Sequence, residues 1–86
     1  MNLIEIYTIS RCPYCEKAKK LFRLLNLEYK EYNIEDVYDS MIEKLSKACG
    51  RTLTTVPQIL INREYIGGYD DLEAIYKMGK INEFLN

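Results

Sequence analysis

Two thiols stand three positions apart at Cys12-Pro13-Tyr14-Cys15. At the first turn of a helix, that spacing brings the sulfurs within disulfide reach. It also sets the first sulfur beside free N–H groups and the positive end of the helix dipole, which favour a thiolate. The chemistry such a pair performs is thiol–disulfide exchange. An isolated cysteine titrates near about 8.5; helix N-termini and nearby cations lower this to about 3.5–7.5. Arg11 precedes the pair, and Lys17, Lys19, Lys20 and Arg23 make the following segment basic, with Glu16 opposing. Cys12 is therefore the expected nucleophile. Cys15 lies one turn inward with Ala18 and Phe22, where burial keeps it protonated until a mixed disulfide forms.

The competing reading of the pair is half of a four-thiolate zinc site. Such a site needs a second CxxC, and only Cys49 remains. The chain has no histidine, which removes Cys₂His₂ zinc sites, Cys/His nucleophile pairs and histidine acid–base catalysis. No metal site is expected.

Two further stretches stand out. Thr54-Thr55-Val56 runs directly into Pro57 and then a strand. Locally a trans bond is favoured, because only about 5–6% of X-Pro bonds are cis. In a redox domain of this layout, a cis Val56-Pro57 bond sets the loop against the CxxC. It then offers the Val56 N–H and C=O to a peptide like a free strand edge. The other stretch is Gly67-Gly68-Tyr69-Asp70-Asp71. Its glycines allow close backbone approach, its helix start offers N–H groups to a carboxylate, and its aspartates suit an ammonium. The plainer reading is a hairpin exit with a helix cap.

The elements that must hold these stretches follow from periodicity. Leu3 to Thr8 reads as a strand buried on both faces. Pro13 to about Asn26 is helical, with Ala18, Leu21, Phe22 and Leu25 on one side and Pro13 at the first position. Glu28 to Ile34 is a second strand. Asp36 is a plausible N-cap for a second helix lined by Met41, Ile42, Leu45, Ala48 and Cys49 and ended by Gly50. Arg51 to Thr55 is a loop. Gln58 to Ile61 and Glu64 to Ile66 form a hairpin about Asn62-Arg63. Asp70 with Glu73 resembles a capping box for a last helix carrying Leu72, Ile75 and Tyr76. Ile81 to Leu85 adds a final turn. The order β-α-β-α-β-β-α predicts an α/β fold: a four-stranded mixed sheet, helices on both faces, a parallel opening pair and an antiparallel closing hairpin.

At 86 residues, 48% of them hydrophobic, the chain predicts one globular domain spanning residues 1–86. A net charge of −1 gives no reason to expect nucleic acid or an anionic membrane as partner. No apolar run approaches a membrane span, and the N-terminus lacks the pattern of a signal peptide. Three cysteines, two in a CxxC, suit a reducing cytoplasm rather than a secreted scaffold.

Taken together, Cys12-Pro13-Tyr14-Cys15, Thr55-Val56-Pro57-Gln58 and Gly67-Gly68-Tyr69-Asp70-Asp71 resemble a dithiol glutaredoxin. The likeness extends to Ile6-Tyr7-Thr8 before the pair and Glu16-Lys17-Ala18-Lys19 after it. A thioredoxin normally carries Gly-Pro between its cysteines and a tryptophan before them; this chain has no Trp. The resemblance implies a thioredoxin-like fold, a cis bond at Pro57, and glutathione as electron donor with no tightly bound cofactor. It implies Cys12 as attacking and Cys15 as resolving thiol. Glutathione's cysteinyl unit would pair with Val56. Its γ-glutamyl carboxylate would meet N–H groups at Tyr69 and Asp70, with Thr55 and Asp71 nearby and Tyr14 flanking the sulfur. Related proteins carry Lys or Arg three residues before the first cysteine to hold the glycyl carboxylate. Here that position is Ile9, so Arg11 or Arg51 is the expected substitute.

The implied function is a monomeric oxidoreductase. It reduces protein disulfides and glutathione mixed disulfides, with ribonucleotide reductase as one plausible client. A redoxin recharged by thioredoxin reductase is an alternative within the class. A glutathione-assisted iron–sulfur carrier is one from another class, disfavoured by the stiff Pro13. Cys49 reads as a packing residue, or more sharply as a second site of glutathionylation or an intermolecular disulfide.

Overall fold

The computed structural model describes residues 1–86. Its sheet is built on β1 (Ile4–Thr8), which leads into α1 (Pro13–Leu24) and returns as β2 (Lys30–Asn33). After α2 (Tyr38–Cys49) come β3 (Gln58–Ile61) and β4 (Glu64–Gly67), then α3 (Tyr69–Lys77). The spatial order is β2-β1-β3-β4. β1 runs parallel to β2, with Ile6 opposite Glu31, and antiparallel to β3, with Ile6 opposite Ile59. β3 and β4 are antiparallel, with a register shift between Ile59 and Leu60.

The predicted mixed sheet is therefore present, and helices cover both faces. On one face Ile4, Ile6, Ile59 and Ile61 pack against Ala18, Leu21 and Phe22 of α1 and Leu72 of α3. On the other, Ile42 and Leu45 of α2 pack with Ile34 and Leu53 over Tyr7, Tyr32 and Tyr65. Burial of each large aliphatic side chain contributes roughly 1.5–3 kcal/mol, so the first face carries most of the stabilisation. β1 and β3, at the centre of the sheet, end beside Cys12 and begin beside Val56. The better-packed half of the molecule thus holds the thiol pair.

Local chemistry fixes the turns. Asn62 and Arg63 both have positive φ, 51° and 68°. That is the mirror-image two-residue turn whose twist matches a hairpin, and Asn adopts it readily. Gly50 ends α2 at φ 74°, its N–H donating to the Ser46 carbonyl, as predicted.

Several expectations are corrected. β1 is not buried on both faces: Ile4, Ile6 and Thr8 are buried, whereas Glu5 and Tyr7 are half-exposed. It lies next to an edge strand of mixed polarity, so α2 covers its second face only in part. β2 is four residues rather than seven, because only Lys30–Asn33 reach a β1 partner. α1 ends at Leu24, where Leu25 forms the C-cap and Asn26 turns left-handed at φ 57°. Asp36 does not cap α2. It sits inside a 3₁₀ turn, Glu35–Val37, and the helix follows at Tyr38. Asp70 does not cap α3: Gly68 is the N-cap, and the Asp71 carboxylate accepts from the Gly68 N–H at 3.1 Å. Glu73 is drawn instead to the Tyr69 hydroxyl at 3.1 Å. Ala48 and Tyr76 are exposed rather than packed.

Candidate active site

Cys12 occupies the N-cap of α1, in extended conformation, with Pro13 at the first helical position. Pro13 has no N–H to leave unsatisfied there. The Cys15 N–H therefore points at the Cys12 sulfur, at 3.2 Å, and the Glu16 N–H bonds the Cys12 carbonyl at 3.1 Å. The two cysteines are joined as a disulfide, with Cα atoms 5.2 Å apart. Cys15 is buried and Cys12 is partly open. This asymmetry is the one expected of a resolving and an attacking thiol.

The loop before Cys12 is tied to the turn after β2. The Ser10 N–H donates to Glu35 at 3.2 Å, and Asn33 donates to the Ser10 hydroxyl at 3.3 Å. Arg11 then takes a positive φ of 59°, which turns the chain into the helix. Behind the site, the buried Thr8 hydroxyl donates to Glu31 at 2.7 Å. Lys19 bonds Glu31 at 3.1 Å and Glu16 at 2.6 Å. Burial works against the Glu31 charge, but the Thr8 and Lys19 hydrogen bonds outweigh it and hold the carboxyl below its ordinary range. Lys19 is raised, chiefly by its bond to Glu16.

Across from the thiols, the Val56-Pro57 bond is cis. The Val56 carbonyl oxygen lies 3.9 Å from the Cys12 sulfur. A groove of about 570 Å³ opens beside it, lined by Tyr14, Arg51, Thr55, Val56, Pro57, Tyr69, Asp70 and Asp71 among others. Tyr14 is exposed at its rim, between the Lys17 ammonium, 5.0 Å from the ring, and Tyr69, whose ring centre is 6.2 Å away. Burial raises the Tyr69 hydroxyl, with Glu73 acting in the same direction. Of the predicted residues, Tyr14, Thr55, Val56, Pro57, Tyr69, Asp70 and Asp71 thus meet in one groove. Arg11 does not join them; Arg51 does. Arg11 faces outward on its left-handed turn, whereas Arg51 follows the α2 cap and stacks on Tyr65, 5.0 Å from its ring centre.

The glycines serve a purpose nearer than a ligand. Gly67 has φ 125°, and a Cβ there would strike the Asp71 carboxylate. The close approach that requires glycine is that of the helix-capping aspartate. Capping and groove-lining therefore coexist in Asp71. Gln58 and Tyr65 line the groove too, neither of them assigned a role by the motifs above. The available signal was a glutamine heading an otherwise apolar strand, since a buried amide there demands partners. Cys49 is half-buried and packs with the α2 cluster; burial pushes its thiol up, opposed by Arg51.

An N-capping thiol bonded to a buried partner, facing a cis-proline loop on a four-stranded sheet, defines a thioredoxin-fold protein built for dithiol–disulfide exchange. The glutaredoxin family profile matches residues 4–66. The chain belongs to the glutaredoxin family. It is 42% identical over 85 residues to glutaredoxin 3 of Escherichia coli (strain K12), covering 99% of both chains. It is 39% identical to glutaredoxin 1 of Rickettsia prowazekii (strain Madrid E), over 99% of this chain and 88% of the relative. Among solved structures, glutaredoxin 1 from Francisella tularensis complexed with cacodylate superposes with a TM-score of 0.82 at 33% identity. That match covers 91% of this chain and 95% of that one. The buckwheat glutaredoxin–glutathione complex gives 0.85 at 29% identity, over 98% and 76%.

Proposed function

We propose that this chain is a glutathione-dependent thiol–disulfide oxidoreductase working through Cys12 and Cys15. The observation that carries the reading is the Cys12 sulfur: it takes the Cys15 N–H at the start of α1 and lies 3.9 Å from the Val56 carbonyl. Once reduced, Cys12 is favoured as thiolate by that N–H and the helix dipole.

The reaction is ping-pong. The Cys12 thiolate attacks the glutathione sulfur of a mixed disulfide, and the substrate leaves as a thiol. The resulting Cys12–glutathione disulfide is attacked by a second glutathione, which releases glutathione disulfide and restores the thiolate. With a protein disulfide, Cys12 forms the mixed disulfide with the client. Cys15 then attacks the Cys12 sulfur, the client leaves fully reduced, and the Cys12–Cys15 bond remains. Two glutathione molecules reduce it. Glutathione is thus a co-substrate.

Glutathione lies in the groove beside Val56. Its cysteinyl backbone pairs with the Val56 N–H and C=O, and Thr55 and Pro57 shape the loop that presents them. Its γ-glutamyl carboxylate meets the N–H groups of Tyr69 and Asp70, and its ammonium meets Asp71. Tyr14 covers the sulfur. Arg51, already in the groove, supports the glycyl carboxylate in place of the cation missing at Ile9. The glutathione held by the buckwheat relative supports this reading.

On this reading residues 1–86 act as one domain and as a monomer. The clients are proteins bearing disulfides or glutathione adducts. The compartment is the cytoplasm, where such a pair is reduced between turnovers. The test is a coupled assay with glutathione, glutathione reductase, NADPH and hydroxyethyl disulfide. NADPH oxidation that depends on Cys12 is expected. Silence there, with turnover under thioredoxin reductase, would overturn the glutathione assignment.

A further inference from the structure

Behind the groove a chain of donors runs in one direction. The buried Gln58 amide reaches two partners: the Thr55 carbonyl at 2.7 Å and the Tyr65 hydroxyl at 2.5 Å. The carbonyl only accepts, so the Gln58 group facing it is the NH₂, and its own oxygen faces Tyr65. Tyr65 must therefore donate to Gln58. That leaves the Tyr65 oxygen free to accept, and the Arg51 guanidinium stands 3.5 Å from it and over its ring. The sense is Arg51 to Tyr65 to Gln58 to the Thr55 carbonyl.

The Thr55 carbonyl belongs to the same peptide unit as the Val56 N–H. In a planar trans peptide the two point in opposite directions. Anchoring the oxygen on Gln58 therefore aims the Val56 N–H away from Gln58, and no group of the chain accepts from it. Successive donation also polarises the unit, which strengthens the remaining N–H as a donor.

We infer that Gln58 and Tyr65 are positioning residues that orient the Thr55–Val56 peptide for the backbone of an incoming disulfide substrate. Neither needs to touch the reacting sulfurs. This rests on the glutathione reading above, in which the Val56 N–H pairs with the substrate.

The test uses the full chain as Tyr65→Phe and Gln58→Glu. Tyr65→Phe removes only the donor oxygen. Gln58→Glu sets a carboxylate against the Thr55 carbonyl and has nothing to donate. With a glutathionylated peptide as substrate, KM should rise about three- to tenfold in Tyr65→Phe and further in Gln58→Glu. The kcat should fall less than KM rises. The Val56 amide proton resonance of the free protein should move in both variants, a change that general loosening would spread over the sheet instead. Wild-type KM values, or raised ones with the Val56 resonance in place, overturn the inference. Should Gln58→Glu fail to fold, Tyr65→Phe alone decides. Inactivity of the wild type with the glutathionylated peptide would instead refute the glutathione reading, so the two failures are distinguishable.

Discussion

The two ends of the sheet handle backbone polarity in opposite ways. At the end that begins β1, Asn62 closes everything. Its N–H bonds the Leu3 carbonyl at 2.7 Å, and its side-chain oxygen takes the Leu3 N–H at 2.8 Å. Its amide donates to Asn2 at 3.0 Å and to the Phe84 carbonyl at 2.8 Å. Asn86 completes the seam through Asn2 and the Met1 carbonyl, both at 2.6 Å. At the end that carries Cys12, the N–H groups of Val56, Tyr69 and Asp70 have no acceptor in the chain. An N–H desolvated without a partner loses about 1–3 kcal/mol, so these groups stay on the open groove rather than in the core. The contrast teaches that recognition here is made from backbone groups left open, on a scaffold closed elsewhere.

The largest effect should come from the open end. Cys12→Ser should reduce turnover to background in the glutathione-coupled assay, since the hydroxyl is no substitute for a thiolate at this pH. Cys15→Ser should retain reduction of glutathione mixed disulfides while losing most reduction of protein disulfides, read by comparing the two substrates in parallel. Gly67→Ala comes next. The φ of 125° alone imposes roughly 1–3 kcal/mol of strain on a residue with a Cβ, and displacement of Asp71 adds to it. Denaturant midpoints should fall, and KM for the mixed disulfide should rise with them. An unchanged KM would separate the α3 cap from the groove.

Asn62→Ala probes the closed end. It should lower stability by about 1–3 kcal/mol in urea melts and leave kcat/KM of the folded protein unchanged. A matching loss of kcat/KM would mean that the two ends are coupled. The smallest effect concerns Glu31. Its folded carboxyl titrates below the unfolded value of about 4.3. Its contribution is therefore whole above that value and disappears as the pH falls through the folded one. Thr8→Val removes one of the bonds responsible and should flatten the acid limb of the stability profile.

What could be read from the residues alone divides along the same line. The thiol pair, the proline loop and the glycine–aspartate stretch are contiguous in sequence, and each carries its chemistry in its own residues. Gly50 was legible because a helix-ending glycine acts locally. Asp36 was not, because the chain inserts a 3₁₀ turn once Glu35 is engaged with Ser10. The cap of α3 falls on Gly68 rather than Asp70, which puts Asp71 at the third helical position, where its carboxylate reaches back to the Gly68 N–H past a Gly67 with no Cβ in the way. The choice between Arg11 and Arg51 depended on tertiary placement: a left-handed φ turns one away while a tyrosine ring holds the other. Gln58 and Tyr65 meet only when β3 and β4 pair, and no short motif joins them.

Thiol–disulfide exchange here depends on the backbone at the start of α1 stabilising negative charge on Cys12. The direct measurement is the rate of iodoacetamide alkylation of the reduced protein across pH, with the modified cysteine located by mass spectrometry. Fast labelling of Cys12 is expected, with a midpoint well below the roughly 8.5 of an isolated cysteine, and little labelling of Cys15. A midpoint at or above that ordinary value, or preferential labelling of Cys15, would contradict it.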